Sequence, residues 1–495
     1  MTRSLLLLAS SVVLAVLAYP PAGLWPAALV MLAPLVVLLE RATPARSFVL
    51  AWSFLVALGL VITRWLVFAL SVEYEVPRPA AWAFAALLVG ACALAPGAAA
   101  FAYRRLRTRC ADAAAPLLFA ALWTLGEWLR SEPGGVPWLL AAHALAPVPL
   151  AIQTADLGGA WAVGFGVVAL NAGLAVAFVT RKLSPLALPA SLALAALVYG
   201  VLRLPGAAPA GDALRVGVVQ AAVPQRERFL PGSAERNTLR HAALTRSLVA
   251  REPVDLVVWS ETAVDEELDG APQLAALLAG LAREIGAPLV TGAPRARDGR
   301  RTNSVVLFAP GAADPVESYD KQRLVPFSEY DPPLGAVLAP LLAPVAAGDP
   351  YAPGREATVF RTASLPFSTP ICFEITYPGL MRRFRAAGAE WIVNLSNDAW
   401  FGRTGYARLH FHHAIFRAVE LRAWVVRAAN TGVSGAIDPA GRVVAELPVF
   451  EEGTFVARVG RPGPPPLYAR AGDAPVLAAL GAIVLACVVR SRSSR

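Results

Sequence analysis

Pro366-Phe-Ser-Thr-Pro-Ile-Cys-Phe-Glu-Ile375 is a short apolar run that ends on a thiol. It predicts a buried strand over 367–372 with Cys372 at its end, then a turn and a helix. A side chain at a strand end stands at the rim of a sheet, where a substrate can reach it. The chain has four cysteines, and Cys92, Cys110 and Cys487 lie in or beside long apolar segments. Cys372 is therefore the only thiol of the polar half, which excludes a disulfide within that half. Many free cysteines are simply small buried hydrophobes. Two further stretches argue against that reading here.

The first is the run before Lys321. Of 44 basic residues only Lys182 and Lys321 are lysine, and Lys182 sits in a short loop between apolar segments. In so arginine-biased a chain, a surviving lysine marks a place where a planar, permanently charged guanidinium will not do. An ammonium is a compact charge whose pKa its surroundings can lower. The second is Val257-Val-Trp-Ser-Glu261, an apolar strand ending on a carboxylate. Glu261, Lys321 and Cys372 each follow such a run, and strand ends at one edge of a sheet converge in space.

At 495 residues the chain has room for more than one domain. An apolar fraction of 56% and a mean hydropathy of +0.54 exceed those of ordinary soluble proteins. The excess is concentrated at 1–203 and 474–490, which predicts a helical membrane bundle of seven spans and one closing helix. Candidate spans cover roughly 4–20, 23–39, 47–70, 80–103, 113–130, 158–180, 184–202 and 474–489, most near the ~20 residues that cross a hydrocarbon core. Arg41, Arg46, Arg104, Arg105, Arg107, Arg109, Arg181, Lys182 and the tail arginines then fall in loops on one side, leaving little beyond Arg78 and Arg130 on the other. That asymmetry predicts cytoplasmic termini and an external domain between spans seven and eight. It also accounts for the net charge of +9, and no basic stripe interleaved with aromatics points to nucleic acid. Arg64, inside the third apolar segment, snorkels to the interface or acts within the membrane. Glu127 and His143 could line the outer mouth of the bundle.

Residues 212–460 have globular composition and alternate strand and helix patterns, which predicts an α/β layered domain. Strands are expected at 214–220, 255–260, 288–293, 303–309, 315–320, 367–372, 391–396, 425–430, 433–438, 442–447 and 453–459. Helices are expected at 235–250, 272–285, 376–387 and 405–422. The breaker-rich stretch 331–355 predicts a long loop, of a length seen in lids and binding arms.

A thiol attacks carbonyl carbon as the thiolate, so it needs a base or a positive neighbour. Glu261 can take the proton, and Lys321 can stabilise the thiolate and the oxyanion. The set suffices for acyl transfer through a thioester with no cofactor. Glu329 and Glu374 could hold the lysine or the base in place, or be solvated carboxylates. His410-Phe-His-His413 has the look of a metal cluster, but its spacing meets no zinc signature, and a packed helix is the better reading.

Together these residues resemble the nitrilase superfamily, whose members carry a Glu-Lys-Cys triad on an αββα sandwich. With the membrane segments, the whole chain resembles the apolipoprotein N-acyltransferases of bacterial inner membranes. The motifs are Trp259-Ser-Glu261, Tyr319-Asp-Lys-Gln-Arg-Leu-Val-Pro-Phe-Ser-Glu-Tyr330, Cys372-Phe-Glu374 and Leu395-Ser-Asn-Asp-Ala-Trp-Phe-Gly402, with Asn303, His410-Phe411 and Arg417-Ala-Val-Glu420 at further matching positions. The chain departs from the family at Ser260, Ser328 and Phe373, where proline, glycine and tyrosine are more usual. The triad is intact, so these changes bear on substrate preference rather than reaction class.

The resemblance implies that Glu261 is the proton acceptor, Lys321 the oxyanion stabiliser and Cys372 the nucleophile. Glu329, Glu374, Phe373 and Asn303 would support them, and Phe229 and Trp400 would meet substrate. It implies a phospholipid acyl donor, phosphatidylethanolamine, a diacylated apolipoprotein acceptor, and a catalytic domain on the periplasmic face. A membrane-tethered amidase, in which water takes the thioester, is the alternative; an eight-span anchor is superfluous for a soluble substrate. A non-enzymatic partner does not need an intact triad, and a transporter does not need so large an external domain.

Overall fold

A computed structural model describes residues 2–204, 213–330, 350–361 and 363–489. Most of the breaker-rich stretch, 331–349, lies outside the described residues, as do the tail arginines and the side chain of Phe229. The chain divides into two units.

The first unit comprises Met1–Arg64, Trp82–Pro205 and Pro466–Arg495. Its helical stretches Pro44–Ile62, Arg78–Arg107, Ala155–Thr180 and Ser184–Arg203 are long and apolar enough to cross a membrane, whereas Arg3–Ala18, Trp25–Leu39 and Ala474–Val489 are shorter. Leu194, Val198, Val201 and Leu202 of Ser184–Arg203 are exposed, an arrangement suited to lipid rather than water. The expected span at 23–39 is broken. Trp25–Leu29 is a 3₁₀ turn, and an α-helix resumes only at Ala33–Leu39, each with proline in its first turn. Asn171 satisfies the break, donating to the carbonyl of Ala28 at 2.9 Å and accepting from the N–H of Leu32 at 2.7 Å. In an apolar interior such groups have no water to turn to. The expected span 47–70 stops at Ile62, where the Thr63 hydroxyl bonds back to the Gly59 carbonyl at 2.7 Å. Residues beyond it, Trp65–Ala81, belong to the second unit.

The second unit, completed by Gly206–Pro465, holds two sheets. The strands are β1 Leu214–Gln220, β2 Leu256–Val258, β3 Leu289–Arg297, β4 Arg300–Phe308, β5 Glu317–Asp320, β6 Phe367–Ser368, β7 Trp391–Ser396, β8 Val425–Ala429, β9 Gly435–Ile437, β10 Val443–Glu446 and β11 Gly453–Val459. One sheet runs β11-β1-β2-β3-β4-β5 and the other β10-β9-β8-β7-β6. The central pairs β1–β2–β3 and β6–β7–β8 are parallel. That explains why β2, β7 and β8 read as continuous apolar runs: both their faces are covered. Helices Ser233–Val249 and Pro272–Ile285 bury Ala242, Leu278 and Leu281 against Val257, Trp259 and Phe308 of the first sheet. Helix Tyr406–Leu421, buried at every position but Arg408, covers the second sheet. The sheets meet face to face, and the Ser434 hydroxyl donates to Gln220 at the end of β1. The expected strands and helices of this unit are found with ends shifted by a few residues. The largest change is at 367–372, where ladder pairing stops at Ser368 and Ile371 forms only an isolated bridge to Leu395.

Candidate active site

Five chain segments bring polar groups to one rim of this unit. Glu261 follows β2, Lys321 follows β5, Cys372 follows β6, Asn397 follows β7 and Asn430 follows β8. At Glu261 the chain turns sharply, with Thr262 at φ 45°. The turn presses against Gly292 so closely that a Cβ there would stand 2.4 Å from the Thr262 nitrogen and 2.8 Å from the Glu261 Cα. Only glycine leaves that room. Trp259 anchors the strand below, fully buried, its ring packed at a tilt against His241 with centroids 4.9 Å apart and its indole donating to Thr245 at 2.9 Å.

Lys321 is 1% exposed. Its ammonium donates to Glu329 Oε1 at 2.8 Å and Glu261 Oε1 at 3.3 Å. The Asn303 amide bridges the same two carboxylates at 2.9 Å and 3.0 Å, and the N–H of Asn397 donates to Glu261 Oε2 at 2.7 Å. Burial alone would lower the lysine pKa. The charges of Glu329 and then Glu261 override it and hold the ammonium well above its usual range. This corrects one expectation: lysine stands here as a compact, permanent cation, not as a group whose pKa is lowered.

Cys372 is partly exposed and sits at φ 52°, a left-handed conformation costly for a side chain other than glycine. A following 3₁₀ turn, Cys372–Thr376, and the Glu374 carboxylate hold it there. Burial pushes the thiol above the ordinary cysteine range and Glu261 adds to the shift, while Lys321 and a hydrogen bond with Ser396 oppose it. The resting thiol is therefore protonated, and its proton must leave as it attacks.

The two supporting carboxylates differ. Glu329 binds the lysine, and its Oε2 accepts from the N–H of Val325 at 2.7 Å. Glu374, fully buried, makes no hydrogen bond to the lysine or to Glu261. It takes the Tyr319 hydroxyl at 2.8 Å and the backbone N–H groups of Gln322, Arg323 and Ile371 at 2.7, 2.9 and 2.7 Å. One carboxylate thus ties the loop after Lys321 to the strand before Cys372. Phe373 packs edge-on to Tyr377. Trp400 stacks on Tyr74, ring centroids 5.2 Å apart, and the Tyr74 hydroxyl meets Ser328 at 3.0 Å. The backbone of Phe229 ends the turn Gln225–Phe229.

A second buried network supports the rim. Asp398 accepts from Ser396 at 2.7 Å and from Arg427 at 2.8 Å, and lies 3.1 Å from His410 Nδ1. Burial opposes its ionisation, but Arg427 and His410 hold its pKa below the usual carboxylate range. His410 thus serves Asp398. Asn397 and Asp398 stand in the Leu395–Gly402 motif but had no role assigned from the sequence, and Arg427 and Asn430 were not singled out at all. The signal was there in Arg427, a charge set between apolar residues of a buried strand, which demands a buried partner.

The chain matches two families: Apolipoprotein N-acyltransferase N-terminal domain over residues 11–173 and Carbon-nitrogen hydrolase over residues 215–462. It is 31% identical to an apolipoprotein N-acyltransferase of Geobacter metallireducens, over 99% of this chain and 96% of that one. It is 35% identical to one of Azotobacter vinelandii, over 90% and 86%, and 31% identical to one of Pseudomonas putida, over 90% and 88%. With its membrane helices and its nitrilase-like α/β unit, the chain belongs to the apolipoprotein N-acyltransferase family.

Proposed function

We propose that this enzyme moves an acyl chain from a phospholipid to the α-amino group of a diacylglyceryl-cysteine at a lipoprotein N-terminus, through a thioester on Cys372. The observation that carries the reading is the Lys321 ammonium, fixed by Glu329 and Glu261 and electrostatically coupled to the Cys372 thiol. In the first step the sulfur attacks the ester carbonyl carbon as its proton passes to Glu261. Lys321 stabilises the oxyanion. The tetrahedral species collapses, the C–O bond breaks, and Glu261 returns the proton to the departing lysophospholipid oxygen. In the second step the amine attacks the thioester carbonyl, Glu261 takes its proton, and the C–S bond breaks to leave an amide and restore the thiol.

Phosphatidylethanolamine is the donor this reading names and a diacylated apolipoprotein the acceptor. Both are lipid-anchored, which suits a site carried by a membrane bundle. The arginine-rich loops favour eight spans in the bacterial inner membrane, both termini cytoplasmic and the catalytic unit periplasmic; shorter helices such as Arg3–Ala18 and Ala474–Val489 would supply spans beyond the four long ones. Purified protein given labelled phospholipid and a diacylated lipopeptide tests the reaction. Labelled amide is the expected product. Free fatty acid alone would make the protein a hydrolase.

A further inference from the structure

Cys110 and Cys487 are 377 residues apart in the chain, yet their sulfurs lie 3.0 Å from each other. Both belong to the first unit and both are buried, 8% and 7% exposed. Cys110 follows the helical stretch that ends at Arg107, and its backbone is held on both sides. Its N–H donates to the Arg107 carbonyl at 3.2 Å, and its carbonyl accepts from the Arg107 guanidinium at 3.1 Å. That guanidinium is fixed in turn by Glu40 at 3.0 Å and Asp112 at 2.8 Å. Cys487 stands in the last turn of helix Ala474–Val489, whose side chains are buried only at Leu480 and Cys487. The start of this helix is tied down by Asp473, which accepts from the indoles of Trp128 and Trp161 at 3.1 Å each and from the Tyr468 hydroxyl at 2.7 Å. At the far end the Cys487 thiol meets Cys110.

A disulfide holds its sulfurs about 2.0 Å apart, so this pair stands within about 1 Å of bonding distance. Two thiols already in contact react with each other far faster than either does with a separate thiol, because their orientation is settled beforehand. The ring of chain such a bond closes contains the whole of Gly206–Pro465.

We propose that Cys110 and Cys487 are a redox-responsive pair, which a peroxide converts to a disulfide that staples the closing helix to the bundle. One sulfur attacks the peroxide, the O–O bond breaks, and a sulfenic acid and a water form. The second thiol displaces the hydroxyl as the S–S bond forms, and a second water leaves. Two electrons and two protons pass from the thiols to one peroxide. On the topology proposed above both sulfurs stand on the cytoplasmic side, where thiols are kept reduced, so the bond forms under oxidation and a dithiol reverses it. The pairing itself rests neither on that topology nor on the chemistry at Cys372.

The test uses the full chain carrying Cys372→Ser, so that peroxide cannot act on the catalytic thiol. The protein is treated with hydrogen peroxide, denatured, alkylated with iodoacetamide and mapped by peptide mass spectrometry without reduction. A linked Cys110–Cys487 peptide should appear, lighter by two hydrogens than its two parts together, with Cys92 the one thiol alkylated. The melting temperature should rise by about 5 °C and fall back in dithiothreitol. Cys110→Ala and Cys487→Ala should each lose both the link and the rise. The rise is read within each variant, so one that starts less stable still reports. The proposal fails if both thiols stay open to alkylation after peroxide, or end as sulfinic acids with no link. It fails equally if the link joins Cys92 or runs between two molecules, or if Cys110→Ala gains the same rise in melting temperature.

Discussion

Lys321 sits closer to Glu329 than to Glu261, 2.8 Å against 3.3 Å. The two carboxylates divide the work on that basis: Glu329 holds the cation, and Glu261 remains available to exchange a proton with the thiol. Removing Glu329 removes the strongest of the charges that raise the lysine pKa. In Glu329→Gln the pKa falls, the cation is lost at lower pH, and the alkaline limb of the rate profile moves down. We expect kcat to fall by roughly 10²-fold, as when one preorganised electrostatic group is lost. A pH–rate profile with its limb unmoved would contradict this division.

Gly292→Ala tests the packing behind the base. The added methyl meets backbone atoms of Glu261 and Thr262 that have no rotamer to escape into. Glu261 must shift by a good fraction of an ångström, and displacements of that order cost about 10²-fold in rate. The expected result is a large fall in kcat with a folded protein, read by steady-state acyl transfer alongside a melting curve.

His241 gives the catalytic unit a pH-dependent stability. Burial lowers its pKa from an ordinary value near 6.5 to about 4, and among the described residues its Nε2 has no hydrogen-bond partner. The folded state keeps the ring neutral while the unfolded chain takes up a proton below pH 6.5. The stabilising effect is complete above pH 6.5 and is lost as pH falls towards 4, roughly 3 kcal/mol at the acid end. His241→Phe keeps a ring against Trp259 and should flatten the melting temperature across that window. An unchanged slope would remove His241 from the account.

Arg427→Met strips Asp398 and Asn394 of their buried partner. Breaking one side of a buried ion pair costs about 3–5 kcal/mol. The variant should melt well below the parent, and should also lose activity, because Ser396 is shared between Asp398 and the Cys372 thiol.

Much of this was legible in the sequence because parallel strands buried on both faces are apolar throughout, so a polar residue at the end of each stands out. Glu261 and Cys372 were found that way, whereas Lys321, which follows the polar antiparallel edge strand Glu317–Asp320, stood out because lysine is so scarce in this chain. What could not be read was where side chains turn after the strand ends. Glu329 and Glu374 look alike in sequence, yet one binds the lysine and the other gathers three backbone N–H groups and a tyrosine hydroxyl. The membrane segments were harder, since hydropathy does not register a hydroxyl or a proline pair. Thr63 ended one expected span, and the prolines at 26 and 34 broke another. Tyr74 fell in the loop between the expected spans 47–70 and 80–103, and no pattern in the sequence tied that loop to the catalytic unit to which it belongs.

The most direct measurement is intact-protein and peptide mass spectrometry of the enzyme mixed with phospholipid and no acceptor. The account predicts one added acyl chain, carried on the peptide containing Cys372, removed when a diacylated lipopeptide is supplied and absent in Cys372→Ala. An adduct on another residue, or acyl transfer undiminished in Cys372→Ala, would contradict it.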